Sequence, residues 1–219
     1  MCWNSDISMN TFIFAILALL FIFLTNTYSK YKTETFKNPL MYLFFFEVAL
    51  IQLIEYFLWK NLKNNKMNKL LSRLACYIII LQPFTIMLMI PIEKIKYFLL
   101  SIYIIFLLVY DILKTKYNPN VYYTTIGKNG HLSWEWMNYK GYENIYFIIY
   151  LLFYSISTLF INNFLFTIFL IVSLLLSLIN YFKFNTFGSM WCWYSNLFLL
   201  YFIINILIIK PYYEYKKLC

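Results

Sequence analysis

The sequence predicts an all-α bundle of about seven transmembrane helices in a single domain, and three observations carry that prediction. The first is composition: of 219 residues, 63% are hydrophobic and 12% charged, with a mean hydropathy of +0.66. Soluble domains run near half apolar and a quarter charged, so this chain belongs to the membrane class. The second is the grouping of apolar residues into runs close to the length of about 20 that spans hydrocarbon. They lie at roughly 8–26, 40–59, 71–92, 96–113, 144–161, 164–182 and 190–209. The third is that Lys and Arg fall largely in the gaps between runs, where cations sit at the headgroups beside interfacial Tyr and Trp. Backbone polar groups in lipid must be satisfied internally, so the runs are expected as helices and not as open strands.

The first run contains no charge from Thr11 to Leu24, and the residues before it offer no basic n-region or small-residue cleavage site. It reads as a retained helix and not as a signal peptide. The second carries Glu47, Gln52 and Glu55, and the third is interrupted by Gln82-Pro83. The fifth and sixth are separated only by Asn162-Asn163, a polar pair suited to a tight turn. Without it the run would be about 39 residues, far beyond a single span. Glycine occurs only at 127, 130, 141 and 188, so Gly-x-x-x-Gly packing is excluded, and close helix contacts fall to Ala15, Ala18, Ser173 and Ser177. The wealth of Phe, Tyr, Ile, Asn and Lys suggests AT-rich codons, which lowers the weight of any single Phe or Tyr. No internal repeat of the transporter kind is visible.

Seven helices sort the connections onto two sides. Side A, that of the N-terminus, holds the gaps near 60–70, 114–143 and 183–189. It carries ten Lys and Arg residues against eight on side B, too even to orient the protein by the positive-inside rule. The net charge of +9 is thus a membrane-flanking charge and not a nucleic-acid surface, which would need a basic face on a soluble domain.

The same topology places the distinctive polar residues at side A. Helices one and seven both start there, with Cys2 and Trp3 at one and Trp191-Cys192-Trp193 and Asn196 at the other. The long side A loop carries His131, the only histidine, and Trp134. At 100° per residue Glu47, Gln52 and Glu55 stand at about 0°, 140° and 80°, an arc that faces one cavity. A carboxylate within a span is costly and is a candidate functional group by default. Glu47 can face a ligand, or can bond as a neutral acid to Gln82 or to a free carbonyl. Glu55, nearer the interface, is expected to be solvated. Pro83 leaves the Ile79 carbonyl without its helical partner, a group that neighbouring side chains usually rescue.

The cysteines, His131 and the glutamates show no zinc spacing, so neither a metal nor a cofactor is expected. A Cys2–Cys192 disulfide needs an oxidising side A; otherwise the thiols pack as small apolar groups. A cysteine nucleophile would need His131 within hydrogen-bond reach. No lysine lies mid-span in the seventh run, which removes a retinal Schiff base. One histidine cannot build a multi-histidine zinc centre, and no phosphate-binding Gly-x-x-x-x-Gly-Lys-Ser/Thr loop is present. No ring of acids or filter-like carbonyl run points to a channel.

Met1-Cys2-Trp3, Ser8, Glu47 with Gln52, Gln82-Pro83, His131-Leu132-Ser133-Trp134 and Trp191-Cys192-Trp193 with Asn196 run in order over nearly the whole chain. In them the chain resembles an uncharacterised family of small polytopic membrane proteins opening with Met-Cys-Trp, found in large DNA viruses and various microbes. The resemblance implies one shared design for the side A residues and carries no activity, substrate or cofactor. The expected function is that of a multi-pass membrane protein binding or moving a small or lipidic molecule through a polar side A pocket. The alternatives are an intramembrane enzyme acting on a lipid-like substrate and a structural protein of a host or virion membrane. The expected partners are the lipid bilayer and that ligand, and not nucleic acid; the sequence does not set the oligomeric state.

Overall fold

Asparagine starts four of the helices. An Asn side chain at the N-cap accepts a hydrogen bond from an otherwise orphaned amide of the first turn. In the computed structural model, which describes residues 4–117, 122–137 and 143–218, Asn4 caps α1 (Ser5–Tyr28), Asn38 caps α2 (Pro39–Asn61), Asn64 caps α3 (Asn65–Leu88) and Asn163 caps α6 (Phe164–Tyr181). Between α3 and α6 lie α4 (Glu93–Tyr117) and α5 (Glu143–Leu159). α7 (Phe187–Ile204) continues through a π-turn at Asn205–Ile209 into α8 (Lys210–Leu218), so these three form one long rod. The seven expected helices are present. Among the described residues five are long and apolar enough to cross a membrane, as in a multi-pass membrane protein; the described apolar part of α5, Phe147–Leu159, is shorter.

Large apolar side chains face outwards along the helices as well as into the core. α1 buries Ala15, Ala18, Leu19 and Ile22 while Leu17, Leu20, Phe23 and Leu24 face outwards, and α6 exposes Ile168, Val172, Leu175 and Ile179. Exposed contiguous apolar surface of this kind marks contact with something other than water, and lipid is the partner that fits its length. α2 is the central helix, packed most extensively on α1 and α3 and also on α7. The small residues act as anticipated: Ala15, Ala18, Ser173 and Ser177 are all buried. Ser177 Oγ donates to the Phe187 carbonyl (2.5 Å), and Ser173 Oγ accepts from Trp191 Nε1 (3.1 Å), fastening α6 to α7.

At Pro83 the expected rescue is visible. Tyr150 of α5 donates to the Ile79 carbonyl (3.2 Å), and Tyr103 of α4 donates to that of Ile80 (2.7 Å). Two tyrosines that composition alone discounts thus bond to carbonyls beside the proline, one of them the carbonyl that it leaves free.

The side A loop differs from expectation: it contains a β-hairpin. β1 (Thr124–Ile126) pairs antiparallel with β2 (Leu132–Trp134), Thr125 opposite Ser133, and a 3-10 turn at Glu135–Met137 follows. Asn68 clasps β1 from α3, donating to the Thr124 carbonyl and accepting from its amide, both at 2.9 Å, and Ser72 Oγ meets Thr124 Oγ1 at 2.7 Å. The α6–α7 turn holds the other edge: Asn185 Nδ2 donates to Ser133 Oγ (3.2 Å) and to the Trp134 carbonyl (3.3 Å), and Asn129 Nδ2 donates to Thr186 Oγ1 (2.8 Å). Gly127 is required by close approach, since a Cβ there would stand 2.7 Å from Thr186 Cγ2. The hairpin therefore lies over side A, joined to the start of α3 and to the α6–α7 turn.

At side B the chain closes on itself. Lys30 pairs with Glu214 of α8, Tyr31 Oη donates to Glu214 Oε2 (2.5 Å), and Lys210 reaches the Lys32 carbonyl. The hydrogen bond that each donates to Glu214 raises the pKa of both Lys30 and Tyr31 above their ordinary values.

Candidate functional site

The polar residues of α2 point into the bundle. Glu47, Gln52 and Glu55 are all buried, the last two completely, so the predicted arc is an inward face. This corrects the expectation of a solvated Glu55: the carboxyl is 0% exposed although it lies near the end of its helix. Both Gln52 and Glu55 are engaged by neighbouring groups. Helix α7 crosses here and brings the thiol of Cys192 within electrostatic reach of Glu55.

Glu47 lies deeper. Its Oε1 accepts from Thr85 Oγ1 of α3 at 2.7 Å, whereas Oε2 is buried without a partner. The expected partner was Gln82 or a free carbonyl. Thr85 takes that role because it stands one turn beyond Gln82 on the same buried face of α3, opposite Glu47. Gln82 is 2% exposed and its Nε2 has no partner.

Tyr154 of α5 joins these groups, and sequence reasoning missed it. It is buried, lies within electrostatic reach of both Glu47 and Cys192, and packs on the Trp191 ring at a centroid distance of 4.6 Å. The available signal was the spacing of Tyr150 and Tyr154, four residues apart on one helical face. A seam of Glu47, Thr85, Gln82, Tyr154, Cys192, Gln52 and Glu55 thus runs through the bundle interior.

Trp191 and Trp193 part company. Trp191 is 4% exposed and turns to α5 and α6, against Tyr154 and Ser173. The outward Trp193 lines a groove of about 380 Å³ between α1 and α7, whose walls include Ile7, Asn10, Thr11, Phe14, Asn196, Leu197 and Leu200. Asn196 links groove to seam, because its Nδ2 donates to the Cys192 carbonyl (3.1 Å) one turn back, while its Oδ1 is buried without a partner. A second groove of about 300 Å³, between α6 and α7, is walled almost wholly by apolar groups such as Leu165, Ile168 and Val172.

His131 belongs to the hairpin and not to the seam. It is 4% exposed, with its ring edge-on to Tyr181 of α6 at 5.5 Å. Trp134 is buried beneath the hairpin and stacks on Trp136 at 5.0 Å. Cys192 carries a free buried thiol, and no group of three or more potential metal ligands occurs among the described residues. Cys2 and Trp3 lie outside the described residues. The structure therefore gathers the α2, α3 and α7 candidates into one seam and sets Trp193 and Asn196 along a neighbouring groove. The two hairpin candidates form a cover over side A. Compared with protein-family models, curated proteins and solved structures, the chain matches none.

Proposed function

We propose that this multi-pass membrane protein binds an amphiphilic, lipid-like molecule at its side A half. The apolar part of the ligand lies between α1 and α7 and its polar part faces Asn10, Thr11 and Asn196. The observation that supports this reading is the α1–α7 groove, whose volume of about 380 Å³ falls within the range of roughly 300–1,000 Å³ typical of small-molecule sites. Its wall mixes apolar side chains with two amides, a hydroxyl and an indole, whereas the α6–α7 groove of similar size is nearly all hydrocarbon. A few placed polar groups in an apolar cleft are what orient a bound molecule. The location that goes with this reading is a host-cell or virion membrane, on the motif resemblance to a family found in large DNA viruses and various microbes.

Native mass spectrometry of protein released from mild detergent tests the reading. The wild-type chain is expected to retain a lipid-sized adduct restricted to one chemical class. Thr11→Trp with Asn196→Leu fills the groove and removes one of its two amides, and should lose that adduct while thermal unfolding in detergent stays cooperative. A wild-type chain without an adduct, or a filled groove that still holds one, would end the proposal.

A further inference from the structure

Two of the buried polar atoms that have no partner stand on facing helices. Glu47 Oε2 and Gln82 Nε2 are both buried, and each belongs to a residue more than nine-tenths enclosed. The Thr85 to Glu47 bond of 2.7 Å fixes where α2 and α3 meet. Gln82 precedes Thr85 by one turn on the same buried face, so its side chain starts about 5–6 Å from that of Thr85. An orphaned buried donor and an orphaned acceptor in one layer call for a third group, because each otherwise costs roughly 1–3 kcal/mol.

Charge narrows what that group can be. Among the described residues no lysine or arginine pairs with Glu47, and Tyr154 of α5 lies within its electrostatic reach. The one hydrogen bond from α3 comes from an uncharged hydroxyl. An ionised carboxylate with a single neutral donor in the membrane interior is strongly disfavoured. A protonated one turns Oε2 into a donor, which needs an acceptor. A water molecule is the smallest group that accepts from that hydroxyl and also donates to or accepts from an amide, and buried waters typically hold about three such bonds.

We propose that Glu47, Gln82 and Thr85 form an internal proton-and-water site, with Glu47 protonated and a single water bridging its Oε2 to the Gln82 side chain. The amide of Gln82 donates to the water oxygen, or accepts from it with the amide turned over, and Thr85 Oγ1 supplies the remaining acceptor. The site shares no residue with the lining of the α1–α7 groove and does not depend on a lipid occupying it.

Infrared spectroscopy of the full chain in lipid nanodiscs tests this directly. At neutral pH the difference between wild type and Glu47→Gln should contain the carbonyl band of a protonated carboxylic acid, separate from any band of Glu55. That component should shift in D₂O, and should change frequency in Gln82→Leu, where the water loses a partner. Superimposable wild-type and Glu47→Gln spectra in the carboxylic-acid region would mean an ionised Glu47 and would overturn the site. A Glu47 band that ignores Gln82→Leu would overturn the bridge. Should Glu47→Gln fail to assemble, the band is assigned instead through Thr85→Val, which removes its hydroxyl partner; no change in that variant also overturns the proposal.

Discussion

The side B half of the bundle is held by aromatic rings and the side A half by polar side chains, although both are built on the same central helix. Towards side B, Phe36, Phe45, Phe166, Phe198 and Phe202 form one continuous cluster. Phe45 stacks on Phe198 at 5.6 Å, and Phe36 meets Phe202 edge-on at 5.1 Å. Towards side A, Asn68, Ser72, Asn129, Asn185 and Thr186 bind a hairpin whose backbone needs partners. Ring packing tolerates small shifts, whereas amide and hydroxyl pairs fix register and leave costly orphans when broken. The stabilising end and the specific end of this molecule are therefore different ends.

The largest effect is expected where the comparison is most one-sided. Phe198→Ala removes a ring that touches Phe45, Phe169 and Phe202 and should cost about 3–5 kcal/mol, read as a lower midpoint of denaturant unfolding in detergent. If it costs less than a side A variant, the aromatic half is not the stabilising one. Asn68→Ala comes next, at about 2 kcal/mol, since it orphans both backbone groups of Thr124. Limited proteolysis should then cut within 122–137 while the helices stay protected, and loss of the whole bundle would mean that the two halves are not separable.

Trp191→Phe keeps the ring packing on Tyr154 but loses the bond to Ser173. Hydrogen bonds between helices in membranes are worth about 0.6 kcal/mol and at most about 1.7, so thermal unfolding should move only slightly. A larger shift would place Trp191 among the side A residues that decide the fold. The smallest effect belongs to the exposed latch at side B. Lys30 and Tyr31 are both shifted upward from ordinary values of 10.5 and 10.0, chiefly by the hydrogen bond with Glu214. Groups shifted upward lend their stabilisation fully below those ordinary values and lose it as pH rises through the shifted ones. Wild type and Glu214→Gln should therefore differ slightly near neutral pH and converge in alkali. Screening by salt should shrink the difference further, and a difference that grows with pH would assign Glu214 another role.

Some of the candidate site was legible beforehand and some was not. Glu47, Gln52 and Glu55 were readable as one inward arc because helical period converts spacing into angle. The depth of Glu55 was not, because burial near a helix end depends on which neighbouring helix crosses there, and here α7 does. Tyr103, Tyr150 and Tyr154 were hidden among many tyrosines, since composition gives no sign of which are buried or which hydroxyls meet a backbone carbonyl. His131 and Trp134 read as part of a side A pocket; the residues that turn that loop into a cover, Asn68 and Asn185, lie far from it in the chain.

By itself the sequence determined the helical class and the number of helices. Those follow from hydrocarbon thickness and backbone hydrogen bonding, which act on every segment locally. Only the tertiary structure decided that the hairpin closes side A, that Trp191 serves α6 while Trp193 faces α1, and that Thr85 is the partner of Glu47. Those depend on how helices rotate and cross. In a chain apolar on nearly every face the hydrophobic pattern exerts little torque on that rotation, and scattered polar pairs such as Thr85 with Glu47 and Trp191 with Ser173 set it instead.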